Sequence, residues 1–144
     1  MLVQLILKSK ASAEVVTVAP DASVADAARL LSGKGIGTVV VSSDGKTAEG
    51  ILSERDIVRE LGQNGAGCLD RPVSDYMTSK LVTCSTQSNV EDLLQQMTDG
   101  RFRHMPVVEN GEMIGLVSLG DVVKAQLAEI AMEKNALEGM IMGH

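Results

Sequence analysis

Gly50-Ile51-Leu52-Ser53-Glu54-Arg55-Asp56 and Gly115-Leu116-Val117-Ser118-Leu119-Gly120-Asp121 are one phrase written twice. Each runs from a glycine through two apolar residues to Ser-x-x-Asp. Working outward, the match extends over residues 15–61 and 81–127, at an offset of 66 that falls to 65 after a one-residue deletion. Val16/Val82, Thr17/Thr83, Val24/Val90, Asp26/Asp92, Val41/Val107, Gly45/Gly111 and Val58/Val123 are further identical pairs. A duplicated unit predicts two similar surfaces related by an approximate twofold, and paired sites in place of one active centre.

Each copy reads in the same order. An extended, β-branched piece comes first, at 15–18 and 81–84. A turn leads to a helix whose N-cap is Ser23 or Asn89, with Asp26 or Asp92 three residues on, as in a capping box. Val24, Ala27, Ala28 and Leu31 fall on one face of the first helix, and Val90, Leu93, Leu94 and Met97 on one face of the second. A strand follows at 38–41 or 105–108. Asp44-Gly45 and Asn110-Gly111 then read as hairpin turns. A third strand, 50–52 or 115–117, ends at Ser53 or Ser118, where another helix opens. Each unit is therefore β-α-β-β-α, and the fold class is α+β.

The 144 residues make about one domain's worth of chain, 44% hydrophobic, with only Tyr76 and Phe102 aromatic, so the core is aliphatic. A net charge of −6 argues against nucleic acid or an anionic membrane as partner, both of which need a basic face. Cys68 and Cys84 lie in no metal-type spacing and read as free, buried thiols, which fits a cytoplasmic protein. The apolar start, residues 1–7, is too short for a signal peptide or a membrane span and reads as a segment packed on the core. Residues 62–67 read as a flexible linker, with no phosphate-loop ending. The domain reading is 1–67 for the first repeat with its N-terminal segment and linker, 68–128 for the second, and 129–144 for a helical tail. That tail either caps the fold or packs on a second chain.

The twin Gly-apolar-apolar-Ser-x-x-Asp phrases resemble those that close the third strand of a CBS domain. Residues 72–78 resemble the linker that leads into a second such repeat, and Arg103-His104-Met105-Pro106-Val107-Val108 resembles the family's second strand. The resemblance covers about 15–127. It implies a stand-alone pair of βαββα repeats packed sheet on sheet with pseudo-twofold symmetry, plus the C-terminal helix. It further implies two clefts for adenosine-containing ligands such as AMP, ADP, ATP, NAD(H) or S-adenosylmethionine, none of them an obligatory cofactor. It implies dimers formed through the helices, and regulation of some partner protein.

On that resemblance the site residues are Asp56 and Asp121 for ribose, with Ser53 and Ser118 at the helix N-termini meeting phosphate. The adenine wall would comprise Thr17, Met77, Lys80, Val82 and Thr83. The rest of the two sites would be Ile36, Gly37, Thr38 and Arg55 in the first copy, and Arg101, Arg103, His104, Met105 and Pro106 in the second. From the residues alone, Ser-x-x-Asp is equally a helix cap. Arg101-Phe102-Arg103-His104 is the densest basic cluster in an acidic chain, and its counterparts Gly35, Ile36, Gly37 and Thr38 carry no charge. The two sites are thus expected to be chemically unequal, with the arginines anchoring phosphate in one of them. His104 and His144 are the only histidines, no nucleophile–base set can be assembled, and no catalysis is expected. The function read from these features is a regulatory adenine-nucleotide sensor; the alternative is a dimerising scaffold that binds no ligand.

Overall fold

Val39, Val40 and Val41 are fully buried, and around this β-branched run the first repeat assembles. A computed structural model describes residues 1–10 and 15–142. Strand β2 (Thr38–Val41) is central in a three-stranded sheet, parallel to β1 (Thr17–Val18) and antiparallel to β3 (Gly50–Ser53). The register sets Thr17 opposite Val40 and Thr38 opposite Ser53. Helix α2 (Val24–Lys34) buries Val24, Ala27 and Leu31, spaced for one helical face. Ser23 caps it by accepting from Asp26 N, and Gly35 stops it at φ 63°, donating to Leu31 O and Ser32 O. Helix α3 (Glu54–Asn64) adds Ile57 to the same core.

The second repeat runs in the same order. Helix α4 (Val90–Gly100) buries Val90, Leu93 and Met97 against the hairpin of β4 (His104–Glu109) and β5 (Glu112–Ser118) and the start of α5 (Leu119–Ile141). Asn110 and Gly111 close the hairpin with φ of 52° and 79°, the mirror-image two-residue turn that matches strand twist.

Helix α1 (Val3–Ser9) packs in the second repeat, with Val3 and Ile6 in one core with Val90, Leu93, Met105 and Val117. The short 3-10 turn Val73–Asp75 does the same for the first repeat, where Val73 joins Val24, Leu31 and Leu52. One backbone pattern serves both. Val3 N donates to Ser88 O and Val90 N to Met1 O; Val73 N donates to Ala22 O and Val24 N to Arg71 O. Each core is completed by the segment that precedes the other repeat in the chain. The two units accordingly comprise Glu14–Val82 with Asn110–Ile114, and Met1–Ala13, Thr83–Glu109 and Gly115–His144.

Several sequence expectations are corrected. The N-terminal segment groups with the second repeat, not with 1–67, because its two buried side chains sit in that core. Residues 68–82 group with the first repeat for the same reason. The helical tail, expected as one stretch from Val122 to Ile141, is the continuation of α5, which runs unbroken from Leu119 to Ile141. Residues 62–67 are not a loose linker. Helix α3 runs to Asn64, Gly65 turns at φ 73°, and a 3-10 helix (Ala66–Asp70) buries Cys68 and packs Leu69 on the core. In the second copy, 81–84 is no strand. Cys84 makes a single parallel bridge to Val107, while Val82 and Thr83 are exposed and have no neighbour to extend it. Asp44-Gly45 does not close a tight hairpin. The Asp44 carboxylate instead accepts from Lys46 N and Thr47 N, at 2.8 Å each, and props open a longer loop. Asn89 caps α4 through Glu91 N, one residue before Asp92. Both cysteines are free and buried, as expected.

Candidate functional site

Ser53 and Ser118 end their strands in extended conformation, and each begins a helix with a complete capping box. Ser53 Oγ accepts from Asp56 N at 3.1 Å, and Asp56 Oδ2 accepts from Ser53 N at 2.8 Å. Ser118 and Asp121 repeat this at 3.1 and 2.9 Å. The capping role expected of Ser-x-x-Asp is therefore realised in both copies. It uses one carboxylate oxygen of each Asp. A further main-chain bond is repeated: Glu54 N donates to Gly37 O (2.8 Å) and Leu119 N to Arg103 O (2.7 Å), which ties the start of each second strand to the first turn of the next helix.

The two sets of site residues then diverge. In the first repeat, Arg59 reaches Asp56 Oδ1 at 2.9 Å. The Glu54 carboxylate lies against Gly37, its Oε1 3.3 Å from where a Cβ would stand. Arg55 and Lys80 are exposed, Ile36 and Gly37 half-buried, and Thr38 buried in β2. Thr17 lies half-buried in β1 beside Val40. Met77 packs on Gly50, and the neighbouring Thr78 exchanges two hydrogen bonds with Ile51. Val82 closes this unit, exposed.

In the second repeat, Lys10 donates to Asp121 Oδ2 and to Leu116 O, both at 2.9 Å. Leu7 lies over Gly115, as Met77 lies over Gly50. His104 is half-buried at the start of β4, with Met105 and Pro106 buried behind it. Burial pushes the His104 pKa below 6.5; the Asp121 carboxylate opposes this, and Lys10 and Arg103 reinforce it. Burial would raise Asp121, but hydrogen bonds from Ser118 N and Lys10 outweigh it and hold its carboxyl below 3.8. Arg101 sits at φ 57°, the left-handed conformation that Gly35 supplies in the first repeat. Thr83 lies exposed in this unit. His144 lies outside the described residues.

Thus the second set gathers Lys10, Arg103 and Asp121 within electrostatic reach of His104, while the first presents Glu54 and Asp56 with Arg59. Lys10, Glu54 and Arg59 were missed in the sequence. A signal for Lys10 exists: Val3-Gln4-Leu5-Ile6-Leu7-Lys8-Ser9-Lys10 aligns with Val73-Ser74-Asp75-Tyr76-Met77-Thr78-Ser79-Lys80 at an offset of 70, with Val, Ser and Lys identical. Among the described residues no group of His, Cys, Asp or Glu is gathered to hold a metal ion. No helix there is long and apolar enough to cross a membrane.

Comparison with known proteins identifies the family. Residues 8–63 and 73–128 each match the CBS domain, and the chain belongs to that family as a CBS pair. A CBS-domain containing protein of Agrobacterium tumefaciens is 44% identical and superposes with a TM-score of 0.82, over 88% of this chain and 99% of its own. The mitochondrial CBS domain-containing protein CBSX3 of Arabidopsis thaliana is 37% identical over 127 residues, 85% of this chain; the match spans only 62% of that relative. A CBS domain protein of Pyrobaculum aerophilum, its structure determined complexed with AMP, is 26% identical with a TM-score of 0.77, over 92% of this chain and 99% of its own.

Proposed function

We propose that this protein is a regulatory module that binds an adenine nucleotide of the AMP, ATP or NAD(H) type and signals occupancy to a partner protein by a change of shape. It acts by binding, without catalysis, in the cytoplasm and away from nucleic acid and membrane. The observation that carries this reading is the charge inversion between the repeats. In a chain of net charge −6, the second repeat places Lys10, Arg103 and His104 around the N-terminus of α5 and the Asp121 carboxylate. That set offers two chemistries, acceptor oxygens for a ribose diol and cationic donors for phosphate. The AMP complex of the Pyrobaculum relative supports an adenosine ligand. Asp121, Ser118, Arg101, Arg103 and His104 are the residues assigned to it.

The first repeat is the weaker site for a phosphorylated ligand, since Glu54, where the second repeat has Leu119, adds a carboxylate that repels phosphate. The module works as a homodimer. Val58 and Leu61 on α3 and Val123, Leu127 and Ile130 on α5 are exposed apolar side chains, and such surfaces mark interfaces. A ligand shifts the module only as far as its affinity differs between two shapes.

The test is thermal unfolding with AMP, ATP, NAD, NADH or S-adenosylmethionine, and GTP as control. A ligand at 100 times its Kd adds about 2.7 kcal/mol. Stabilisation by an adenosine compound and not by GTP is expected, and its loss in Asp121→Ala locates the site. No stabilisation by any of them would leave a ligand-free dimeric scaffold, with both Ser-x-x-Asp phrases serving as helix caps alone.

A further inference from the structure

Lys10 ends α1 in extended conformation, with φ −73° and ψ 136°, and turns its side chain onto β5 and the start of α5. It is held there by two partners, the Leu116 carbonyl and Asp121 Oδ2. An ammonium group has three N–H donors, so one remains. The pair is neither sealed nor fully solvated: the Lys10 and Asp121 side chains are 29% and 26% exposed. Ser118 N and Lys10 fall on the same carboxylate oxygen. A diol can therefore approach the other oxygen without breaking the ion pair.

The first repeat is an internal contrast. Lys80 stands at the equivalent place, the eighth residue of the same segment pattern, and Met77 covers Gly50 as Leu7 covers Gly115. Yet Arg59 takes Asp56 there, and among the described residues Lys80 forms no ion pair. Only in the second repeat does the pattern put a lysine on the carboxylate.

We propose that Lys10 is the specificity-determining residue of the second repeat's site, its remaining N–H selecting adenosine ligands that carry a phosphate over those that do not. This rests on the nucleotide reading given above. A ligand's ribose engages Asp121 while its phosphate oxygen meets Lys10, so that the carboxylate holds both the sugar and the cation that reads the phosphate. An unphosphorylated nucleoside makes the first contact and not the second.

Titration calorimetry of the full chain with AMP and with adenosine tests this, on wild type, Lys10→Met, Lys10→Gln and Lys10→Arg. Loss of a charge-assisted hydrogen bond predicts AMP binding weakened about tenfold or more in Lys10→Met, with adenosine affinity unchanged. Lys10→Arg is expected to keep the preference for AMP. Should Lys10→Met fail to fold, Lys10→Gln, which removes the charge and keeps a polar side chain, must show the same selective loss. Equal loss of both ligands, or loss of neither, would reduce Lys10 to a pin holding α1 and overturn the inference. A wild type that binds AMP but shows no preference over adenosine overturns the inference alone. A wild type that binds neither overturns the inference, and the nucleotide reading falls with it when ATP, NAD, NADH and S-adenosylmethionine also fail to stabilise the fold.

Discussion

Met77 lies so close over Gly50 that a Cβ at that position would come within 2.8 Å of Met77 Cγ and nearer still to its sulfur. The glycine is required for this contact and not for a backbone angle. Gly50→Ala is expected to destabilise the protein by about 1–3 kcal/mol, the usual cost of overpacking. Met77→Ala should relieve much of that cost, giving a coupling energy in a double-mutant cycle. Denaturant unfolding of the four proteins reads it; additive effects would mean the segment around Met77 does not press on β3.

Arg101 occupies a left-handed conformation where the first repeat has glycine. For a residue with a Cβ that conformation costs about 1–2 kcal/mol. Arg101→Gly is expected to raise unfolding stability and weaken AMP binding together. Strain kept at a site for its use predicts these opposite signs. A gain in stability with AMP affinity unchanged would remove Arg101 from the site.

His104 protonates less readily in the folded chain than in the unfolded one, because burial disfavours its charged form. Below pH 6.5 the unfolded chain therefore takes up more protons, and stability falls as pH drops through 6.5 toward the folded value. An NMR titration should place the His104 midpoint below 6.5. Asp121→Asn should lower it further and Lys10→Met should raise it, since the two charges act in opposite directions. A midpoint unmoved by either change would mean that neither charge faces the ring.

Leu127 and Ile130 are 61% and 50% exposed on a helix that runs on well past the buried Val122 and Ala125. Leu127→Lys combined with Ile130→Lys is expected to convert a dimer to a monomer in light scattering, with little loss of protomer stability because neither side chain is buried. A wild type that is already monomeric would overturn the dimer, and a double variant that stays dimeric would place the interface elsewhere.

The order of elements was legible because its signals are local. Val24, Ala27 and Leu31 repeat with the helix, Val39-Val40-Val41 is a buried strand by composition, and Ser53 and Ser118 announce their helices. What depends on distant neighbours was not legible. Asp44-Gly45 and Asn110-Gly111 carry one hairpin signal, yet only the second closes a two-residue turn, because the Asp44 carboxylate captures two backbone N–H groups of its own loop. Residues 81–84 have strand composition but no partner beyond the Cys84 bridge. In the candidate site, Ser118 and Asp121 could be named from spacing, whereas Lys10 meets Asp121 across 111 positions of chain. A short apolar segment announces that it will be buried, not where.

The exchange of preceding segments also dictates an order of assembly. Synthesis delivers α1 before either repeat, but seven residues do not hold a helix in water on their own. Its docking groups, Ser88 O and the core around Leu93 and Val117, are made last. Helix α1 is therefore among the last elements to find its place, and closing that long loop is the slow, entropically costly step of folding. The first repeat's core is whole once Met77 is in place, whereas the second repeat's core needs α1 and α5 together. Severing the chain at Gly65 takes Val73 from the first core and Val3 and Ile6 from the second, and should leave two fragments that refold only when mixed.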